Sequence, residues 1–280
     1  MGRHLRPLTA MNPPPPPPAT EEGQAVESTG SDTTASFSDR ARSAMRTGRG
    51  NGPVFLADWL DMVFLHFEAD PGSLQNVVPF PLDRYEGRTF VSLVAFTMHR
   101  FRPAIGGRLT AWLARPMATQ RFLNLRTYVR GTHGPGIFFM HEWLDHPLAV
   151  RLGPSTFGLP YRRGRLSYQY HTNFVSGRVV AGAEGGFEGR PTGTATTAPA
   201  GSREAFLLER YTAYTAAGFR PLAFRVWHEP WRFRRLEPTS SSMETFLKAL
   251  RQPWTTTLRF AGAQVSDGVR DVWMGRPMRA

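Results

Sequence analysis

Cysteine does not occur in this 280-residue sequence. Disulfides, thiolate metal centres and thiol nucleophiles are thereby excluded, and a metal ion would depend on His, Asp and Glu alone. Lysine occurs once, at Lys248, so every other strongly basic side chain is arginine. No apolar run reaches the length that crosses a bilayer. Met1 to Ala10 carries two arginines without a following apolar stretch, which does not read as a secretory leader. A cytoplasmic protein without a membrane partner is expected. The G-x-S-x-G, G-x-G-x-x-G and Walker patterns are also missing, and no cofactor is expected.

Acidic residues are scarce beside the arginines, and the formal net charge is +12. Residues 1–52 hold six arginines against five acidic residues, so nearly all the excess falls beyond them. Such an excess favours acidic ligands or nucleic acid. Arginine-only usage equally fits a composition bias of the genome. Arg162-Arg163-Gly164-Arg165 and Arg232-Phe233-Arg234-Arg235 place charge near aromatics that can stack on bases. A solvated face is the commoner origin of such clusters, and no nucleic-acid motif accompanies them.

What is present divides the chain in two. Residues 1–52 read as a disordered tail with a polyproline run, Pro13 to Pro18, followed by Ser, Thr, Gly and Glu. Phe37, Val26 and Met45 are the only large apolar side chains between residues 12 and 52. Residues 53–276 read as one domain, and 277–280 as a C-terminal tail. The chain's 20 Phe and 7 Trp, nearly all within 53–276, supply a sizeable core. Strands are expected at 63–67, 88–101, 124–130, 136–143, 166–180, 224–228, 256–260 and 269–274. Asp70-Pro71 should open a short helix, Ser202 should cap one running to Tyr211, and 144–152 and 242–251 read as helical. Many strands with few scattered helices argue against a βαβ repeat.

Several segments, taken together in order, carry a resemblance. They are Trp59 with Phe64-Leu65-His66, Asn124-Leu125-Arg126-Thr127-Tyr128-Val129, Gly136-Ile137-Phe138-Phe139, Gly158-Leu159-Pro160-Tyr161, the run from Gly201 to Tyr211, Val226-Trp227-His228-Glu229-Pro230-Trp231, and Ser266-Asp267-Gly268-Val269. This order resembles the YqjF-like family of uncharacterised bacterial proteins, which belongs to the acetoacetate decarboxylase-like superfamily. The resemblance covers nearly all of 53–276. It implies an α+β, mostly β fold: an antiparallel cone or barrel with a few flanking helices and a central cavity. Two segments depart from the family's pattern. Phe122 stands where a Glu usually precedes the asparagine strand, and Met140-His141-Glu142-Trp143 replaces a Ser-Leu-Asp-Ala continuation. Acetoacetate decarboxylase itself uses a lysine Schiff base tuned by a second lysine. Lys248 sits alone in a polar segment, so that chemistry is not expected here.

Asn124, Arg126, Tyr128 and Arg130 share one face of their strand by its period of two. Amide, guanidinium and phenol suit a cavity wall better than a solvated sheet face. An arginine pointing inward needs a carboxylate, and Glu209 is the expected partner, in a structural role. His141 and Glu142 should face opposite sides of their strand. His141 and His228 are candidate ligand contacts. They could bind a metal, but no third ligand has diagnostic spacing, so no metal is expected. Tyr211 completes the candidate set. The expected function is binding of a small anionic or carbonyl ligand, whether or not a reaction follows. A non-enzymatic interaction module is the alternative, and nucleic-acid binding through the arginine clusters a weaker one. The residues leave the ligand and the oligomeric state open.

Overall fold

The computed structural model describes residues 36–47, 52–217 and 220–280. In chain order the elements are α1 (Phe37–Arg46), β1 (Phe55–Ala69), α2 (Pro71–Gln75), β2 (Thr89–Pro103), α3 (Gly107–Ala114), β3 (Gln120–Gly131), β4 (Gly134–Leu144), α4 (Pro147–Phe157), β5 (Tyr161–Arg163), β6 (Arg165–Tyr170), β7 (Val175–Val180) and β8 (Glu184–Thr196). They continue as α5 (Arg203–Leu208), β9 (Thr212–Ala217), β10 (Arg220–Trp227), β11 (Phe233–Ser241), α6 (Met243–Lys248), β12 (Arg259–Met274) and β13 (Met278–Arg279).

The strands form one 13-stranded sheet in the order β13-β10-β9-β4-β3-β2-β1-β12-β11-β8-β7-β6, with β5 beside β4. A further pairing of β10 with β12 closes part of it into a ring of seven strands, β10-β9-β4-β3-β2-β1-β12. Trp227 pairs with Trp273 at this seam. The pairings are antiparallel except for β4 with β5 and β4 with β9, which run parallel. The parallel contact of β4 with β9 is an exception within an otherwise antiparallel ring. It arises because the chain leaves β4 through α4 and returns through α5 before β9, so no hairpin joins the two.

Strands of 15 and 16 residues can bend into a ring only if they are kinked. Register slips in β1 against both neighbours, between Ala57 and Trp59 toward β12 and between Leu60 and Val63 toward β2. Asp61, Arg100 and Asp271 take positive φ at or near these bulges, at 56°, 50° and 49°. The buried Asp58 carboxylate ties the bulges together. It accepts from Arg100 at 2.5 and 2.8 Å and from the Asp271 amide at 2.9 Å. Gly268 has φ +110°, and a Cβ there would lie 2.1 Å from the Trp59 carbonyl. Only glycine fits.

Side chains alternate between two cores. Along β3, Leu123, Leu125 and Val129 join an outer cluster with Val91, Leu93 and Phe246 of α6. Phe122 and Tyr128 face the ring interior with Phe64, Val94, Phe96 and Phe224. Asp70 caps α2 by accepting from the Ser73 amide at 2.8 Å, and Ser202 caps α5 through the Ala205 amide at 3.1 Å, as their sequences imply.

Several expectations need correction. Residues 166–180 form a hairpin, β6 and β7, with the turn at His171 to Phe174. Strands β8, β9 and β11 were not anticipated, because glycine, proline and threonine dilute their apolar alternation. The late strands at 256–260 and 269–274 are one strand, β12, preceded by a 3-10 turn. Part of the supposed tail is folded. Residues 36–47 contain α1, capped by Ser36 and Asp39 in a capping box. Met45 is buried, and Ser38 donates to the His228 carbonyl at 2.7 Å. The helix forms because it is amphipathic and finds the ring seam to dock on. Arg42 lies 4.7 Å from the Trp227 ring and 5.6 Å from that of Trp273. The rest of 1–35 lies outside the described residues. So do residues 48–51.

Candidate functional site

The ring interior holds a cavity of about 340 Å³, within the usual range for small-molecule sites. Its walls are mainly aromatic and aliphatic, including Phe55, Phe96, Met98, Phe139, Phe224 and Trp231. Set into them are Gln120, Asn124, Arg126, Glu142, Arg210 and His228.

Arg126 sits mid-strand on the inner face of β3 and is 8 % exposed. One terminal nitrogen donates to the Leu207 carbonyl at 3.1 Å, at the last turn of α5. Nε has no partner among the described residues, and no carboxylate there lies within ion-pair distance. The expected pairing with Glu209 does not form. Glu209 follows the last residue of α5 with φ −93° and ψ 76°, which turns its side chain toward the loop after β10. There it accepts from the Trp231 amide at 2.9 Å and, very closely, from the Tyr211 hydroxyl. Burial raises its carboxyl above the ordinary value, against the lowering effect of those two bonds. The neighbouring Arg210 has the carboxylate that Arg126 lacks. It pairs with the buried Asp83 at 2.8 Å and donates to the Phe206 carbonyl at 2.6 Å.

Tyr128 shares the inner face of Arg126 but lies beneath the cavity. It is fully buried, and its hydroxyl bonds Ser92 Oγ at 2.7 Å and the Leu207 carbonyl at 2.9 Å. Ser92 continues to His66 Nδ1 at 2.6 Å. Tyr128 and Arg126 thus both donate to the Leu207 carbonyl.

His228 lines the cavity between Tyr211 and Trp231, each ring centroid 4.7 Å away. Tyr211 therefore packs behind the histidine and does not line the cavity. His228 Nδ1 lies 2.7 Å from the Glu229 carbonyl, which can only accept, so Nδ1 carries the proton and Nε2 the lone pair. Burial is the main reason its pKa falls to about 4; the Glu229 carbonyl opposes this and the Arg126 charge adds to it.

His141 is not at the site. A β-bulge in β4 pairs Leu125 with His141 but Arg126 with Phe139, so Met140 is the extra residue. A strict period of two from Phe139 would carry His141 inward. The bulge swaps the faces and brings Glu142 inward in its place. His141 lies on the outer side against Trp143, 5.5 Å away. Glu142 is 4 % exposed, pairs across the sheet with Asn124 and lies beside Tyr161 on β5. Burial raises its carboxyl well above the ordinary value. The site thus combines a cation, a buried carboxyl whose pKa is raised and an imidazole whose pKa is lowered. It can hold an anion, and it has groups suited to donating and accepting a proton.

Gln120 and Glu142 were missed from sequence. Gln120 stands four residues before Asn124 on the same face, which the period of two could have found. Among the described residues no three of His, Cys, Asp and Glu gather closely enough to hold a metal ion, and no helix is long and apolar enough to cross a membrane.

A ring-closed, mostly β sheet around such a cavity is the acetoacetate decarboxylase-like fold. An acetoacetate decarboxylase-like enzyme from Sphingomonas wittichii RW1 matches with a TM-score of 0.54 at 15 % identity, over 82 % of this chain and 93 % of that one. The enduracididine biosynthesis enzyme MppR complexed with pyruvate matches at 0.55 and 13 %, over 81 % and 91 %. Within that fold the chain belongs to the DUF2071 family of uncharacterised conserved proteins, whose model matches residues 56–265. It is similar to the protein YqjF of Bacillus subtilis (strain 168), with 32 % identity over 190 residues, 64 % of this chain and 74 % of the relative.

Proposed function

We propose that the protein binds a small carboxylate-bearing molecule in the ring cavity, with the carboxylate on Arg126 and an apolar body against the aromatic wall. One observation carries this reading. Arg126 is a buried guanidinium with an unpartnered Nε and no protein carboxylate in reach among the described residues. Burying a charge without a counterion costs several kcal/mol, which an anionic ligand would offset. The planar fork of arginine suits a carboxylate. MppR, a structural relative, was captured with pyruvate, itself a small carboxylate.

A Schiff base forms no part of this proposal. Lys248 lies on α6 with its side chain half exposed, paired with Glu244 at 2.7 Å, and does not line the cavity. Cavity chemistry would instead fall to His228 and Glu142.

The test is Arg126→Met in a thermal-shift screen of short-chain carboxylates. The variant should melt at or above the parent temperature, since an uncompensated buried charge is removed, and should lose the carboxylate-induced shift. A variant that melts lower and still responds to carboxylates would overturn the proposal.

A further inference from the structure

Beyond Arg126, the cavity carries three side chains whose unpartnered atoms are all oxygens. These are Gln120 Oε1, Asn124 Oδ1 and Glu142 Oε2. Their residues are 6 %, 5 % and 4 % exposed, and all three line the cavity. A buried acceptor left unmade costs about 1–3 kcal/mol. Asn124 and Glu142 are direct partners across β3 and β4, so their side chains form one polar patch on the inner face. Glu142 sets the character of the patch, because both its terminal atoms are oxygens. Even as a neutral acid it offers one hydrogen, and the Asn124 amide nitrogen two, while Asn124 Oδ1 and Glu142 Oε2 themselves stay without a donor among the described residues. A carbonyl group on a ligand would bring no donor to it. A hydroxyl brings one. An amine brings two or three from a single atom, and as ammonium it also gives an ionised Glu142 a counter-charge.

Arg126 and Asn124 are two residues apart on the same strand face, a separation of about 7 Å. Phe139, the cross-strand partner of Arg126, and Val94, that of Asn124, form apolar wall beside these positions. The cavity therefore has an anion-binding pole and a donor-seeking pole with apolar surface alongside.

We propose that the ligand is an amino-carboxylate in which a short apolar spacer separates the two groups, its carboxylate on Arg126 and its amine on Asn124 and Glu142. This rests on the carboxylate reading above and adds the second pole to it. Free α-amino acids are poor candidates, because one carbon cannot span the two poles.

Calorimetry on the full chain with pentanoate, 5-aminopentanoate and 4-oxopentanoate tests both levels. 5-Aminopentanoate should bind about tenfold more tightly than pentanoate, the gain of one charge-assisted hydrogen bond. In Glu142→Gln that preference should shrink to about twofold while pentanoate still binds. Should Glu142→Gln fail to fold, Asn124→Leu should show the same selective loss. Pentanoate binding without an amine preference, or a preference for 4-oxopentanoate that Glu142→Gln leaves intact, overturns the second pole and leaves the carboxylate reading standing. No binding of any of the three overturns the carboxylate reading itself.

Discussion

His228 and Glu142 lose their water in the same cavity, and each is pushed toward its neutral form. For His228 the folded pKa of about 4 lies below the ordinary 6.5. The unfolded chain then takes up a proton near 6.5 that the folded chain refuses until about 4. Stability from this residue is complete above pH 6.5 and is lost as pH falls toward 4. His228→Gln should remove about 1.4 kcal/mol per pH unit from the slope of unfolding free energy in that window, measured by urea titration. Glu142 has the opposite sign. Its folded pKa is raised, so its contribution is favourable below the ordinary value of 4.5 and is lost as pH rises above it. Glu142→Gln should therefore gain stability relative to the parent as pH rises from 4.5 to 7.5. A constant difference between the two proteins across that range would show that the carboxyl is not held neutral. At this scale Asn124 and Arg126 were legible from alternation along one strand. The exchange of His141 for Glu142 was not, because a bulge is set by pairing with a neighbouring strand and leaves no mark in local alternation.

Among the elements, α1 has the most distinct consequence. Composition alone made residues 36–47 look unpackable, yet one buried methionine, a serine hydroxyl on the His228 carbonyl and an arginine over two tryptophans suffice to dock a ten-residue helix. The helix lies on the seam where β10 meets β12, and its Ser38 bond fixes the backbone that carries a cavity residue. A chain beginning at Gly52 should thus lose about 2–4 kcal/mol, from the burial of Met45, the Ser38 bond and the cation–π contacts. Arg42→Ala alone should cost about 0.5–1 kcal/mol. Denaturant midpoints of the two variants check both figures, and an unchanged midpoint for the shortened chain would show that α1 contributes nothing to the fold. Local signals served well where capping chemistry lies in a few residues, as at Asp70 and Ser202. They failed at β8, β9 and β11, whose strand character comes from the partners they pair with rather than from β-propensity.

On the scale of the whole molecule, the ring depends on close approach at β4 and β9. Gly136 has the Thr212 carbonyl 2.4 Å and the Tyr214 ring 2.7 Å from where a Cβ would stand. Gly136→Val should force the parallel pair apart and cost about 1–3 kcal/mol. If the cavity needs a closed ring, the same variant should weaken carboxylate binding although Gly136 does not line it. By itself the sequence determined that the chain is mostly β, that it holds no cysteine and a single lysine, that it resembles the YqjF-like family, and that an amide and a guanidinium share one strand face. These follow from composition and from periodicities spanning a few residues. Only the tertiary structure decided that β10 and β12 are the strands that close the ring, that Glu142 enters the cavity, that Glu209 turns away from Arg126 and that α1 belongs to the fold. Each of these depends on register and contact between segments far apart in the chain, where the geometry of the partner, and not the identity of the residue, sets where a side chain goes.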